Sequence, residues 1–335
     1  MPKASKEFKP LSTNSLMAHL RNECGISIGG STEKRKLQNI GYYHGYKGYR
    51  FAKSERNRLP ITDFSELYRL YLFDNRLKAA FYPWIMRTET ALKNCILESM
   101  CAEAARQNIT ATYDDICKHC FDASAKDHYS QLSFLSSKIA KSCGQGGRAV
   151  VRHFTDASRG VPIWALLEVL TLGEFGAIYG CLSHEIKDDV YKKLGMPQRV
   201  WDSSLPNVPK KDRKDLLQAL LNAMTSLRNS IAHDNVIADA RFAVKNKPGA
   251  ETCVFFDQTF GLGPNAISFS DLPDYMLLVC FFMVSLGFTK TDCKAFVRSY
   301  EQVLTEFAED TLCAKMIGKS SALAIKAAYR FIDNH

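Results

Sequence analysis

No stretch of this 335-residue sequence is apolar over the roughly 20 residues that a bilayer-spanning helix needs. The longest apolar stretch, Tyr275 to Phe288, is shorter and reads as a buried helix. The opening decapeptide MPKASKEFKP has lysines but no apolar segment behind them, so the expectation is no secretory signal, no membrane and a cytoplasmic protein. Zinc-type ligation is short of parts: Cys117 and Cys120 have metal-ligand spacing, yet no second Cys/His pair lies at zinc-finger distance. The 11 cysteines fall mostly in apolar helical text, which suits reduced thiols rather than a disulfide framework. Gly144-Gln-Gly-Gly147 precedes Arg148 without the Gly-Lys-Ser/Thr ending of a phosphate-binding loop. These shortages lead us to expect no metal and no cofactor. Internal repeats and low-complexity segments are also missing, and with 46% hydrophobic residues the chain is excluded from the disordered class.

Net positive charge is scarce beyond residue 60. The first 60 residues hold twelve Lys/Arg against four Glu, and so carry +8 of the chain's formal +9. A basic block of this kind favours a polyanionic partner, nucleic acid ahead of anionic lipid, over a merely solubilising arm. Within it, Gly41-Tyr-Tyr-His-Gly-Tyr-Lys-Gly-Tyr-Arg-Phe51 interleaves rings and cations, a mixture suited to base stacking and phosphate contact. Lys34, Arg35, Lys36, Tyr43, Tyr46, Lys47 and Arg50 are the candidate RNA-binding residues; some of the tyrosines are equally suited to anchoring the segment on a core.

Elsewhere the apolar residues follow a helical period. Helices are expected over 12–24, from Asp63 to Tyr82, on from Trp84 to Ala105 with Pro83 kinking or restarting the helix, over 128–141, from Pro162 towards Gly173, and over 216–231. Residues 107–127 read as loop, and β-branched and aromatic runs between Arg241 and Phe260 suggest a short hairpin. The expected class is all-α, a helical bundle with an N-terminal basic arm and a minor β element. We divide it into a basic aromatic segment (1–60), a helical domain (61–240) and a C-terminal helical extension (241–335).

The 216–231 helix ends in Arg228-Asn-Ser-Ile-Ala-His233. The bare Arg-x4-His spacing recurs at Arg148/His153 and Arg330/His335, so spacing alone decides nothing. What sets the first apart is its place at the end of a strongly periodic helix and the Asn after the Arg. Asn229 and His233, four apart, share a helix face. Arg228 lies about 140° around a straight helix from His233, so its long side chain, a bend or a second subunit must bring the two together. The same helix end has a structural reading, with Arg228 paired to an acid and His233 capping the last carbonyls.

Four segments in order resemble one family. Arg228-Asn-Ser-Ile-Ala-His233 resembles the RNxxAH signature of the abortive-infection (AbiD/AbiF-like) proteins of the HEPN superfamily. Asn39-Ile-Gly-Tyr-Tyr-His-Gly-Tyr46 is similar to their IGYYRLSGY segment, Phe64 to Leu77 to their F..I..LY.FD..LR, and Pro162 to Gly173 to their P.W...E.L.FG. The likeness spans about residues 10–245. It departs at Lys93, where the family's IE…LR helix has Arg, and after His233, where Asp-Asn-Val-Ile-Ala replaces the common small-Arg-Leu-Trp. The resemblance implies a HEPN-type bundle and a metal-independent endoribonuclease of phage-defence or toxin–antitoxin type. Arg228, Asn229 and His233 would be catalytic, with Glu89 holding the Arg228 rotamer. RNA would be the partner, including a small non-coding RNA as for AbiF-like members, and a homodimer would complete the site. The alternative is a non-catalytic RNA-binding HEPN protein holding a structured non-coding RNA.

Overall fold

A 43-residue helix, α3 (Phe64–Arg106), is the axis on which the other elements are arranged. At 1.5 Å per residue it is about 65 Å long. The computed structural model describes residues 12–123, 128–143, 149–156, 160–197, 215–318 and 321–335. Among the described residues, α1 (Thr13–Asn22), α2 (Gly30–Ile40) and a π-helical turn (Tyr43–Lys47) precede α3. After it come α4 (Tyr113–His119), α5 (His128–Cys143), α6 (Ala149–Asp156), α7 (Ile163–Leu167), α8 (Leu172–Cys181), α9 (His184–Lys193) and α10 (Leu216–Ala232). A 3-10 turn (Arg241–Lys245), α11 (Ala250–Thr259), α12 (Leu272–Ser285), α13 (Lys290–Glu306), α14 (Thr311–Ile317) and α15 (Ala322–Asn334) complete the order. The protein is an all-α bundle. β structure among the described residues is limited to isolated bridges, such as Ser27 with Asp63 and Phe51 with Arg58.

α3 begins on a capping box: the Asp63 carboxylate accepts from the Ser65 amide at 2.8 Å, and Glu66 accepts from the Asp63 amide at 3.1 Å. Leu67, Leu70, Phe73, Leu77 and Phe81 then bury one face at helical spacing. The helix runs through Pro83, which is exposed, without restarting there. Packing of Phe81 and Ile85 on either side outweighs the one lost backbone bond. On α3 lie α9, α13, α12 and α10. The stretch Leu272–Met283 of α12 is buried all round, as the apolar text there requires.

The basic segment is folded from residue 12 onwards. Met17, Leu20, Leu37, Ile40 and Tyr49 are buried in the same apolar cluster as α3, while the cations of α2 face outwards or lie half-buried. Lys3, Lys6 and Lys9 lie outside the described residues.

Three local expectations are corrected. The hairpin expected between Arg241 and Phe260 is the 3-10 turn followed by α11. Phe256 and Phe260, four residues apart, fall on one face and are both buried, Phe256 with its ring 5.4 Å from Phe281 of α12. Burial of that face overrides the β propensity of the run. Residues 107–127 contain α4, started by the Thr112 side chain. The helix expected from Pro162 to Gly173 is two, α7 and α8, divided where Thr171 and Glu174 form a new capping box.

Candidate active site at the end of helix α10

The position of α10 is set at both ends. Its N-cap Asp215 accepts from the Gln218 amide at 3.1 Å and from the Tyr191 hydroxyl at 2.7 Å. Along its length α8 comes close, because a Cβ at Gly173 would sit 3.2 Å from Thr225 Cγ2 and one at Gly180 only 2.9 Å from Gln218 Oε1. The last glycine of the Pro162–Gly173 motif is thus a contact point between the two helices.

At its C-terminus α10 closes in a Schellman arrangement. The Asn235 amide donates to the Ser230 carbonyl at 2.8 Å and the Asp234 amide to that of Ile231 at 3.2 Å. Asp234 occupies the left-handed position, φ 52°, that glycine usually takes. His233 is the C-cap residue, and its ring is exposed.

Arg228 is half-buried. Its Nε donates to Glu89 Oε2 at 3.1 Å and its Nη1 to Asn229 Oδ1 at 3.3 Å. Glu89 is buried on α3 and also accepts from Lys93 Nζ at 2.8 Å; Lys93 in turn donates to the Leu170 carbonyl at 2.9 Å. The structure therefore brings Glu89, Lys93, Arg228 and Asn229 into one bonded group and joins it to the strand of chain leading into α8. It does not join Arg228 to His233, as the 140° offset anticipates. The third Arg-x4-His match is tied into backbone: Arg330 donates to the Gly261 carbonyl at 2.9 Å and His335 Nδ1 lies 2.9 Å from that of Phe331. Arg148 of the second match lies outside the described residues, as does the Gly144–Gly147 loop.

A second polar group, which the sequence reading passed over, supports the turn after His233. Asp74 on α3 is fully buried and accepts from the Ile237 and Ala238 amides at 2.9 and 2.8 Å and from the Tyr49 hydroxyl at 2.9 Å. Lys78 lies 2.9 Å from Asp74 and 2.6 Å from Asp234. Burial works against the Lys78 charge, but Asp74 and Asp234 outweigh it and hold its pKa above the ordinary lysine value. The signal was available: Asp74 and Lys78 sit four apart on the apolar phase of α3, where a carboxylate needs partners. Burial pushes the Tyr49 hydroxyl well above its ordinary pKa, and the neighbouring Asp74 charge adds to the shift. From the other side, Asp239 binds the basic segment: it accepts from the Lys53 amide at 2.5 Å and pairs with Arg241 at 2.7 Å, while Arg241 reaches the Gly48 and Phe51 carbonyls.

The candidate RNA-binding residues divide. Tyr43 is 75% exposed, enough for a base to stack on it, and Arg35 is exposed on α2. Lys34 is half-buried there. Lys36 lies over the Tyr68 ring, 4.6 Å from its centroid, and Lys47 over Tyr42 and Tyr43 at 5.7 and 5.8 Å. Tyr46 packs on Tyr42, and Arg50 is paired with Glu55. A cavity of about 820 Å³ opens among α13, α14 and α15, with Glu301 and Lys326 among its lining residues. None of the candidate site residues lines it.

Cys117 and Cys120 are buried, and desolvation pushes their thiols up to about 12 and about 11, which opposes the thiolate form that a metal ligand needs. Among the described residues no group of three or more His, Cys, Asp or Glu could hold a metal ion. No helix there is long and apolar enough to cross a membrane.

Residues 35–238 match the Abi-like protein family. The chain belongs to this abortive-infection family. No curated protein and no solved structure matches it. The Abi-like match ends at Ala238, the last amide bonded by Asp74, and so includes Glu89, Arg228, Asn229 and His233. Residues 239–335, with α11 to α15, lie beyond it.

Proposed function

We propose that this Abi-like protein is a HEPN-type, metal-independent endoribonuclease acting in phage defence or toxin–antitoxin control. The observation that carries the reading is the end of α10. There a permanently charged Arg228 is held by the buried Glu89, and an exposed His233 follows five residues later as the C-cap. RNA brings its own nucleophile, the 2′-hydroxyl, so cleavage needs a base for that proton and a cation for the charge that develops on phosphorus. His233 suits the first task and Arg228 the second, with Asn229 as a hydrogen-bonding guide. The products would be a 2′,3′-cyclic phosphate and a 5′-hydroxyl.

A homodimer that faces two α10 ends across a two-fold axis would carry Arg228 of one copy towards His233 of the other. RNA, including a small non-coding RNA, is the partner, approached through Lys34, Arg35, Lys36, Tyr43, Tyr46, Lys47 and Arg50. A second reading, a non-catalytic RNA-binding HEPN protein, is favoured by one observation: Arg228 already donates to a buried carboxylate.

His233→Ala separates them. For the nuclease, it abolishes RNA cleavage and growth toxicity while RNA binding in a gel shift persists. Cleavage that requires Mg²⁺ or leaves a 5′-phosphate overturns the mechanism, and a wild type that binds RNA without cutting it favours the second reading.

A further inference from the structure

The ribonuclease reading leaves one chemical requirement unmet within a single chain. In-line transfer needs a base for the 2′ proton and an acid for the 5′ leaving oxygen, and α10 carries one histidine. The π-helical turn Tyr43–Lys47 brings a second to the same place.

Its backbone admits little freedom. A Cβ at Gly45 would lie 2.7 Å from Ile40 Cδ1, and one at Gly48 would lie 3.4 Å from Val236 Cγ2, so the turn is wedged between α2 and the segment after α10. In that position His44 Nδ1 is 3.3 Å from the Asp234 carbonyl oxygen and 3.9 Å from its carboxylate. Asp234 is the residue next to His233, fixed in the left-handed position and bonded to Lys78 at 2.6 Å. A carbonyl oxygen only accepts, so Nδ1 of His44 carries a proton and Nε2 is left as the exchanging atom. The His44 side chain is 56% exposed, and Tyr43, with Lys47 near its ring, stands beside it.

We infer that His44 is a catalytic residue of this site, the general acid to His233 as general base on an RNA phosphodiester. The inference rests on the ribonuclease reading. Asp234 faces His44 from the segment after α10 and is itself paired with Lys78 of α3, while Lys47 lies on the same turn as His44. The Asp234 carboxylate would form an ion pair with the protonated ring, which suits the acid role. His233 takes the 2′-hydroxyl proton as the O2′–P bond forms. The P–O5′ bond breaks, and His44 Nε2 delivers its proton to O5′. His233 is then protonated and His44 neutral, and exchange with water restores both.

The decisive measurement compares ordinary RNA with the same RNA carrying sulfur for the bridging 5′ oxygen at the mapped cut site. A thiolate leaves without a proton. His44→Gln removes the titrating ring but keeps a polar side chain; on ordinary RNA we expect kcat to fall about 100-fold or more, with KM and gel-shift affinity within about 3-fold. On the sulfur substrate the same variant should cleave within about 3-fold of wild type, whereas His233→Ala stays slow on both. His44→Asn, checked for an unchanged Tm, should behave like His44→Gln. Full activity of His44→Gln on ordinary RNA, or an equal loss on both substrates, overturns the assignment while leaving the nuclease standing. A wild type that cleaves neither overturns the nuclease reading and this one with it.

Discussion

Two carboxylates on α3 are buried for different purposes. Glu89 joins Arg228 of α10 to Lys93 of its own helix, and Asp74 receives the two amides at the exit of α10. A buried acid that loses its cation, or a cation that loses its acid, leaves an uncompensated charge worth about 3–5 kcal/mol. The Lys78 pair has a testable pH signature. Its pKa is raised in the folded state, so its stabilisation is complete below the unfolded value of about 10.4 and disappears as pH rises through the folded value. Urea unfolding of wild type should therefore lose stability more steeply above about pH 10.4 than that of Lys78→Met, which has no such proton to lose. Equal slopes would mean that Asp74 and Asp234 do not hold the Lys78 charge.

At the scale of elements, α3 shows tertiary packing overruling a local rule. Proline inside a helix costs about 3 kcal/mol, yet α3 continues through Pro83 because the side chains around it are committed to the core on both sides. Pro83 itself is exposed, so Pro83→Ala adds a backbone bond and removes no core contact. We expect it to raise stability by about 1–3 kcal/mol in urea unfolding, with the m-value unchanged. A loss of stability would show that Pro83 makes a contact the core needs. The α11 correction has the same cause: Val254, Phe255 and Phe256 suit a strand taken alone, but a strand would hold Phe256 and Phe260 about 13 Å apart, whereas the helix brings their rings to 5.7 Å in the apolar cluster with α12.

For the molecule as a whole, the charge asymmetry acquires a shape. The basic residues from Arg21 to Arg58 belong to a folded layer whose apolar side is buried in the main core. Its cations lie on α2 and on the π-helical turn, and the turn stands beside the segment that follows α10. If this layer takes RNA phosphates, the double change Lys34→Gln with Arg35→Gln should flatten the plot of log affinity against log salt by about 0.7 per contact removed on a single strand. Gel shifts between low and moderate salt read that slope directly, and an unaltered slope excludes these two residues from the interface.

The sequence by itself determined the helical class, the buried α12, the polar cluster at the end of α10 and the basic block, because periodicity and composition are properties of neighbours along the chain. It also carried enough ordered motif to place the chain in the Abi-like family. The tertiary structure decided which other distant residues meet: Asp74 with the turn at Ile237, and His44 with Asp234, 190 positions away. No local propensity links such residues. They come together because α8 packs closely on α10 and the glycine-bearing turn wedges against Val236. That packing also left Arg228 turned towards Glu89 and the His233 ring exposed at the end of α10.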